Sequence, residues 1–185
     1  MSDSNSYSHL ALLRGINVGG NNIIKMADLR AFMESIGFPT VKTYIQSGNV
    51  LFHAEETDME KLTEDLEKGL SEEFDYNSKI VLVTQKHLAS VVQDAPGSFG
   101  EEPDDYRYDV LFLKEPLTPE EAMESITVRE GVDRAWQGEG VLYFSRRKSR
   151  AGQSYLNKLV GKPVYKQMTI RNWNTTTRLH SLMAE

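Results

Sequence analysis

Hydrophobic positions along this chain switch between two rhythms, unbroken short runs and spacings of three and four, and the alternation occurs twice. Residues 7–14 carry Leu10, Leu12 and Leu13 in a mostly apolar run, the pattern of a strand at the centre of a sheet. After a Gly/Asn-rich loop, Leu29, Phe32, Met33 and Ile36 recur at helical spacing until Gly37 ends the series. Two β-rich runs, 41–46 and 49–53, flank Ser47-Gly48 and predict a hairpin. Asp58 is placed to cap a helix whose Met59, Leu62, Leu66, Leu70 and Phe74 form one apolar stripe, and 79–84 reads as a buried strand. The first half is therefore βαββαβ.

A short helix around 86–93 leads into a Pro/Gly/acid stretch, 96–105, which composition marks as a linker or long loop. A second series starts with a strand at 108–113. Thr118-Pro119-Glu120-Glu121 then combines an N-cap, a proline at the first helical position and a glutamate at the third, a strong helix start. A hairpin over 132–136 and 141–145, a short helix at 154–160, a strand at 164–170 and a last helix carrying Leu179, Leu182 and Met183 complete it. The order is again βαββαβ. The expected fold is α+β, a tandem duplication of ferredoxin-like units over 1–95 and 96–185, with mixed or antiparallel sheets covered by helices.

Composition narrows what such a fold does. With 39% hydrophobic and 26% charged residues the chain is expected to fold, and 185 residues suffice for one core or two small ones. The absence of cysteine removes disulfides, thiolate metal sites and thiol nucleophiles. No leader-like pattern opens the sequence and no apolar run approaches membrane-span length, so a cytoplasmic location without a membrane partner is expected. The net charge of −6 hides an asymmetry. Residues 55–128 carry 6 Lys/Arg against 20 Asp/Glu, whereas 129–185 carry 11 against 4. The basic final third is either an anion-facing surface or the partner of acidic helix faces.

Three stretches are candidates for chemistry. Arg14-Gly15-Ile16-Asn17-Val18-Gly19-Gly20-Asn21-Asn22 lies between a strand and a helix, with Lys25 beside the helix start. Backbone N–H groups and a helix N-terminus in such a setting hold phosphate or carboxylate, although neither the dinucleotide nor the phosphate-loop spacing is present. The competing reading is tight-turn chemistry by Gly and Asn. Gln46-Ser47-Gly48-Asn49 is an uncharged polar cluster between two strands, again readable as a turn. The stretch 169–178, with Arg171, Asn172, Trp173, Asn174 and Arg178, mixes guanidinium, amide, hydroxyl and indole groups suited to a flat, charged ligand. His9, His53, His87 and His180 are scattered without metal-ligand spacing, so no metal site is expected. No nucleophile elbow or triad is visible, and no cofactor follows from the residues.

The motifs ALLRGINVGG (11–20), KMADLR (25–30), YIQSGNV (44–50) and TxRNWNT (169–175) resemble those of the bacterial family known as domain of unknown function 1697. The resemblance runs over nearly the whole chain and implies a duplicated ferredoxin-like architecture; it carries over no activity, substrate or cofactor. It places Arg14, Asn17, Gly19, Gly20, Gln46, Ser47, Asn49, Arg171, Asn172 and Asn174 within family motifs, which shifts their reading from turn chemistry toward a shared site.

The expectation is a small anionic ligand, a nucleotide or phosphorylated metabolite, bound where the Gly/Asn loop meets the 171–174 stretch. Arg14, Lys25 and Arg171 supply charge, and Asn17, Gln46, Asn49 and Asn172 directional hydrogen bonds. An enzyme built on these groups would act by positioning and electrostatics. Two other classes compete: single-stranded nucleic-acid binding through the basic final third, and an interaction or scaffold protein whose acidic and basic regions pair between chains.

Overall fold

The computed structural model describes residues 7–185; residues 1–6, part of the stretch read for a leader, lie outside the described residues. The chain divides into two compact units. One comprises the residues through Lys86 together with Leu179–Glu185, the other His87–Arg178.

The first unit contains β1 (His9–Leu13), α1 (Met26–Ser35), β2 (Val41–Tyr44), β3 (Asn49–Phe52), α2 (Met59–Phe74) and β4 (Ile80–Thr84). Its sheet is antiparallel throughout, in the order β2-β3-β1-β4. Every residue of β1 is buried, as its run of leucines requires of a central strand. On one face Ala11, Leu13, Val50, Phe52 and Ile80 pack with Leu29, Phe32 and Met33 of α1 and the Leu62–Leu66–Leu70 stripe of α2. The Asp58 side chain accepts from the Lys61 N–H as the N-cap of α2.

The second unit contains α3 (Gln85–Gln93, whose first turn starts in the first unit), β5 (Tyr106–Leu113), α4 (Pro119–Ser125), β6 (Asp133–Gly138), β7 (Val141–Arg147), the short helix α5 (Leu156–Leu159) and β8 (Met168–Asn172). Strand order is β6-β7-β5-β8, again all antiparallel. Relative to sequence order the two sheets are therefore laid out alike. Leu111, Leu113, Leu142, Phe144 and Met168 pack on one face against Ala122, Leu156 and Leu159. Thr118 and Glu121 form the expected capping box at the start of α4. The last helix, α6 (Trp173–Ala184), crosses from the second unit into the first after Arg178.

Two sequence expectations shift. The strand expected at 164–170 begins only at Met168, because Pro163 starts a 3-10 turn, Pro163–Gln167, that uses up the preceding residues. The loop 96–105 lies wholly in the second unit and is packed rather than loose. Its Phe99 is buried and meets Tyr108, Trp136, Tyr143 and Trp173 edge-on at ring-centroid distances of 4.8–5.9 Å. Edge-to-face geometry lets one ring serve four neighbours.

Candidate functional site

The Gly/Asn loop of the first unit is pinned at both ends and exposed at its tip. Ile16 and Ile24 are sunk in the core, while Val18 and Ile23 stand in solvent. Burial of two isoleucines contributes roughly 1.5–3 kcal/mol apiece, enough to fix where the loop leaves and re-enters the domain. Between them Gly19 (φ 59°) and Gly20 (φ 78°) lie at consecutive positive φ, with a bridge from Val18 to Asn21 and an Asn21 N–H to Val18 carbonyl bond of 3.0 Å. That is a type I′ hairpin turn, which explains both glycines.

Asn17, at φ 52°, is the clamp of the loop. Its Nδ2 donates to the carbonyls of Ile24 (3.0 Å) and Gln46 (2.8 Å), and its Oδ1 accepts from the Ile24 N–H (2.8 Å). Asn22 Nδ2 closes the base by donating to the Gly15 carbonyl. The loop is thereby bonded to the β2–β3 turn, so Arg14, Asn17, Gly19, Gly20 and Lys25 share one region of the first unit with Gln46, Ser47 and Asn49.

The β2–β3 turn is itself constrained. Ile45 adopts φ 50°, an expensive conformation for a β-branched residue, and is about half exposed. Gly48 at φ 82° must be glycine, since a Cβ there would lie 2.7 Å from Ile16 Cδ1 and 2.8 Å from Leu13 Cβ. Asn49 is fully buried and its Nδ2 donates to the Tyr44 carbonyl and to Ser47 Oγ, tying the two strands across the turn. Gln46 presents its side chain to solvent.

Lys25 is the N-cap residue of α1, in extended conformation and with no side-chain hydrogen bond capping the helix. Lysine is a poor choice there: it offers no acceptor for the first N–H groups and its charge opposes the helix dipole, which Asp28 in the first turn offsets.

In the second unit Arg171, Asn172 and Asn174 divide their roles. Arg171 lies buried in β8, opposite Val110 of β5, and its Nη1 donates to Thr169 Oγ1 and the Ile170 carbonyl, both at 2.9 Å. Burial draws its pKa down to about 10, so it stays charged at neutral pH. Asn172 Oδ1 accepts from the Thr175 N–H and is the N-cap of α6. Asn174 is exposed in the first turn of that helix.

The basic final third is not one continuous stripe. Arg146 faces buried Asp109 (3.5 Å), Arg150 bonds Gln153, Lys162 reaches the Ser125 carbonyl and Lys158 sits over the Tyr155 ring. Burial raises the Asp109 pKa, and Arg146 and Arg107 pull it back. Among the described residues no cluster of His, Asp and Glu forms a metal-binding set, and no helix is long and apolar enough to cross a membrane.

One grouping escaped the sequence reading. Antiparallel register sets Tyr106 opposite Arg147, and β6 brings Arg134 to the same ring. Residues far apart in sequence meet there through strand pairing, and no local motif announces them.

Comparison with known proteins bears on fold and family. A family model described as a protein of unknown function (DUF1697) matches residues 7–143, which includes the loop and the β2–β3 turn and stops short of the 171–174 stretch. A solved structure of a conserved bacterial protein from Streptococcus pneumoniae is similar at a TM-score of 0.82 and 24% identity, covering 96% of this chain and 98% of that one. No curated protein matches the sequence.

Proposed function

Starting from the fact that the chain belongs to the DUF1697 family, we propose that it binds a small anionic ligand, a phosphorylated metabolite or nucleotide, on the first unit where the Gly/Asn loop meets the β2–β3 turn. The observation that carries this is Lys25 at the start of α1. A cation at a helix N-terminus without a side-chain cap is poor for the free helix and favourable once an anion sits against those N–H groups. Arg14, at the other end of the loop, adds a second cation, and Gln46 a hydrogen-bonding amide. The Asn17 clamp holds these elements in place before any ligand arrives, which lowers the ordering cost of binding.

The shared strand order of the two sheets supports a second part of the proposal, that the units arose by duplication of a ferredoxin-like unit. A cytoplasmic setting suits a chain without cysteine.

A thermal-shift series with inorganic phosphate and sugar phosphates tests the binding reading. Wild-type protein is expected to gain stability with ligand concentration, and the Arg14→Ala/Lys25→Ala double variant to lose that gain while melting cooperatively. Equal gains in both proteins would refute it.

A further inference from the structure

We propose that the second unit carries a mononucleotide site of its own, in a cleft of about 460 Å³ lined by Glu102, Asp105, Tyr106, Arg134, Arg147 and Ser149. Its size falls within the range of small-molecule sites. A smaller recess of about 120 Å³, reaching Gly131 and Val132, shares Tyr106, Arg134 and Arg147 with it. The cleft has no residue in common with the loop of the first unit, so the two readings stand or fall separately.

The cleft's cations are held ready. The guanidinium carbons of Arg134 and Arg147 each lie 5.6 Å from the centre of the Tyr106 ring, and Arg147 Nη2 donates to the Tyr106 hydroxyl at 3.1 Å. Ring contact holds two guanidinium groups in place while using few of their N–H donors. Among the described residues neither arginine forms an ion pair with Glu102 or Asp105, although both acids line the same cleft. The Tyr106 hydroxyl foremost, with Asp105 and Glu102 after it, raises the Arg147 pKa, so cations and carboxylates act on one another across the cleft without closing into a salt bridge.

The acidic rim is also rigid. The Lys148 N–H donates to the Asp105 carbonyl (2.7 Å), and the Asp105 and Tyr106 N–H groups both donate to the Glu102 carbonyl. The Glu102 N–H donates to the Tyr108 hydroxyl. Behind it, Phe99 anchors the loop in the aromatic cluster.

A matching ligand has an anionic end, a flat middle and a hydrogen-bond donor end. Phosphate pairs with Arg134 and Arg147 in the forked geometry guanidinium groups favour. The base lies along the Tyr106–guanidinium stack, and its exocyclic amino group donates to Glu102 or Asp105. Ser149 offers a hydroxyl to the sugar. The two carboxylates disfavour a polyanion threaded through the cleft, so a single nucleotide fits better than a nucleic-acid strand.

Calorimetric titration of the whole protein with AMP, CMP, IMP, UMP and a short single-stranded RNA separates the outcomes. Saturable binding of AMP or CMP is expected, weaker by about tenfold or more for IMP and UMP, which carry a carbonyl where the amino group sits. Arg134→Gln/Arg147→Gln should weaken AMP at least about tenfold with an unchanged circular dichroism spectrum. Glu102→Gln/Asp105→Asn should erase the preference for AMP over IMP while retaining binding. The Arg14→Ala/Lys25→Ala variant should bind AMP at this cleft as wild type does. The inference is overturned by no saturable nucleotide binding, by AMP binding indifferent to the arginine pair, by IMP binding as well as AMP, or by RNA binding far tighter than any mononucleotide.

Discussion

Replacing Lys25 by serine should stabilise the free protein and weaken its hold on an anion, two effects of opposite sign from one side chain. Lys25 already has the extended backbone of an N-cap residue, φ −72° and ψ 138°, so a serine hydroxyl there can accept from the N–H of Ala27 or Asp28 without backbone movement. A good N-cap in place of a non-capping residue is worth about 1 kcal/mol. Removing a cation from the positive end of the dipole adds about 0.3–1 kcal/mol. Their sum, between about 1 and 2 kcal/mol, corresponds to a rise in Tm of roughly 2–8 °C for a chain of this length. Urea unfolding followed by far-ultraviolet circular dichroism in phosphate-free buffer measures the gain. Repeating it in phosphate measures the linkage, since a ligand of the native state adds RT ln(1 + [L]/Kd). Wild type should gain more from phosphate than Lys25→Ser. A variant no more stable than wild type in phosphate-free buffer would mean the first turn of α1 lacks nothing. Equal gains from phosphate would remove Lys25 from the site.

Two further outcomes follow from burial. Gly100→Ala should destabilise the second unit by about 2–4 kcal/mol in urea unfolding, because Gly100 sits at φ 88° and an added Cβ would collide with the Trp173 indole; a loss under about 0.5 kcal/mol would show that the loop yields. His9, buried against Phe52 and near His53, has its pKa pushed below the usual value by burial first and by His53 second. The unfolded chain then binds the proton more readily, so stability should fall as pH drops below about 6.5, and His9→Phe should flatten that slope in unfolding measured at pH 7.5 and 5.5; an unchanged slope would assign it to other groups.

What the sequence made legible was whatever depends on near neighbours. The leucine run of β1, the α2 stripe, the Asp58 cap and the Thr118–Glu121 capping box are local signals, and each appears where its pattern placed it. The start of β8 lies later than the pattern predicts because Val164 and Tyr165 have strand character, while Pro163 imposes a turn on them. For the loop, residue types alone could not separate anion cradle from hairpin chemistry. Only the structure reveals that Gly19–Gly20 form a type I′ turn and that the Asn17 amide bonds the Gln46 carbonyl from a distant part of the chain. Arg171 and Asn172 read alike as polar candidates, yet one lies within a sheet and the other caps a helix. The Tyr106–Arg134–Arg147 grouping rests on strand register, which no single stretch encodes.

The first unit takes Leu179–Glu185 from beyond the second, and this sets an order of events during translation. Domains tend to close as soon as the ribosome has released all of their parts. The second unit is contiguous, His87–Arg178, whereas the first is split around it. The first unit must still wait for Leu179, Leu182 and Met183, all buried, for the Met183 carbonyl that accepts from Gln85 Nε2, and for Glu185, which pairs with Lys42. Of these two units, the one synthesised first is therefore held open until every residue of the other has been added.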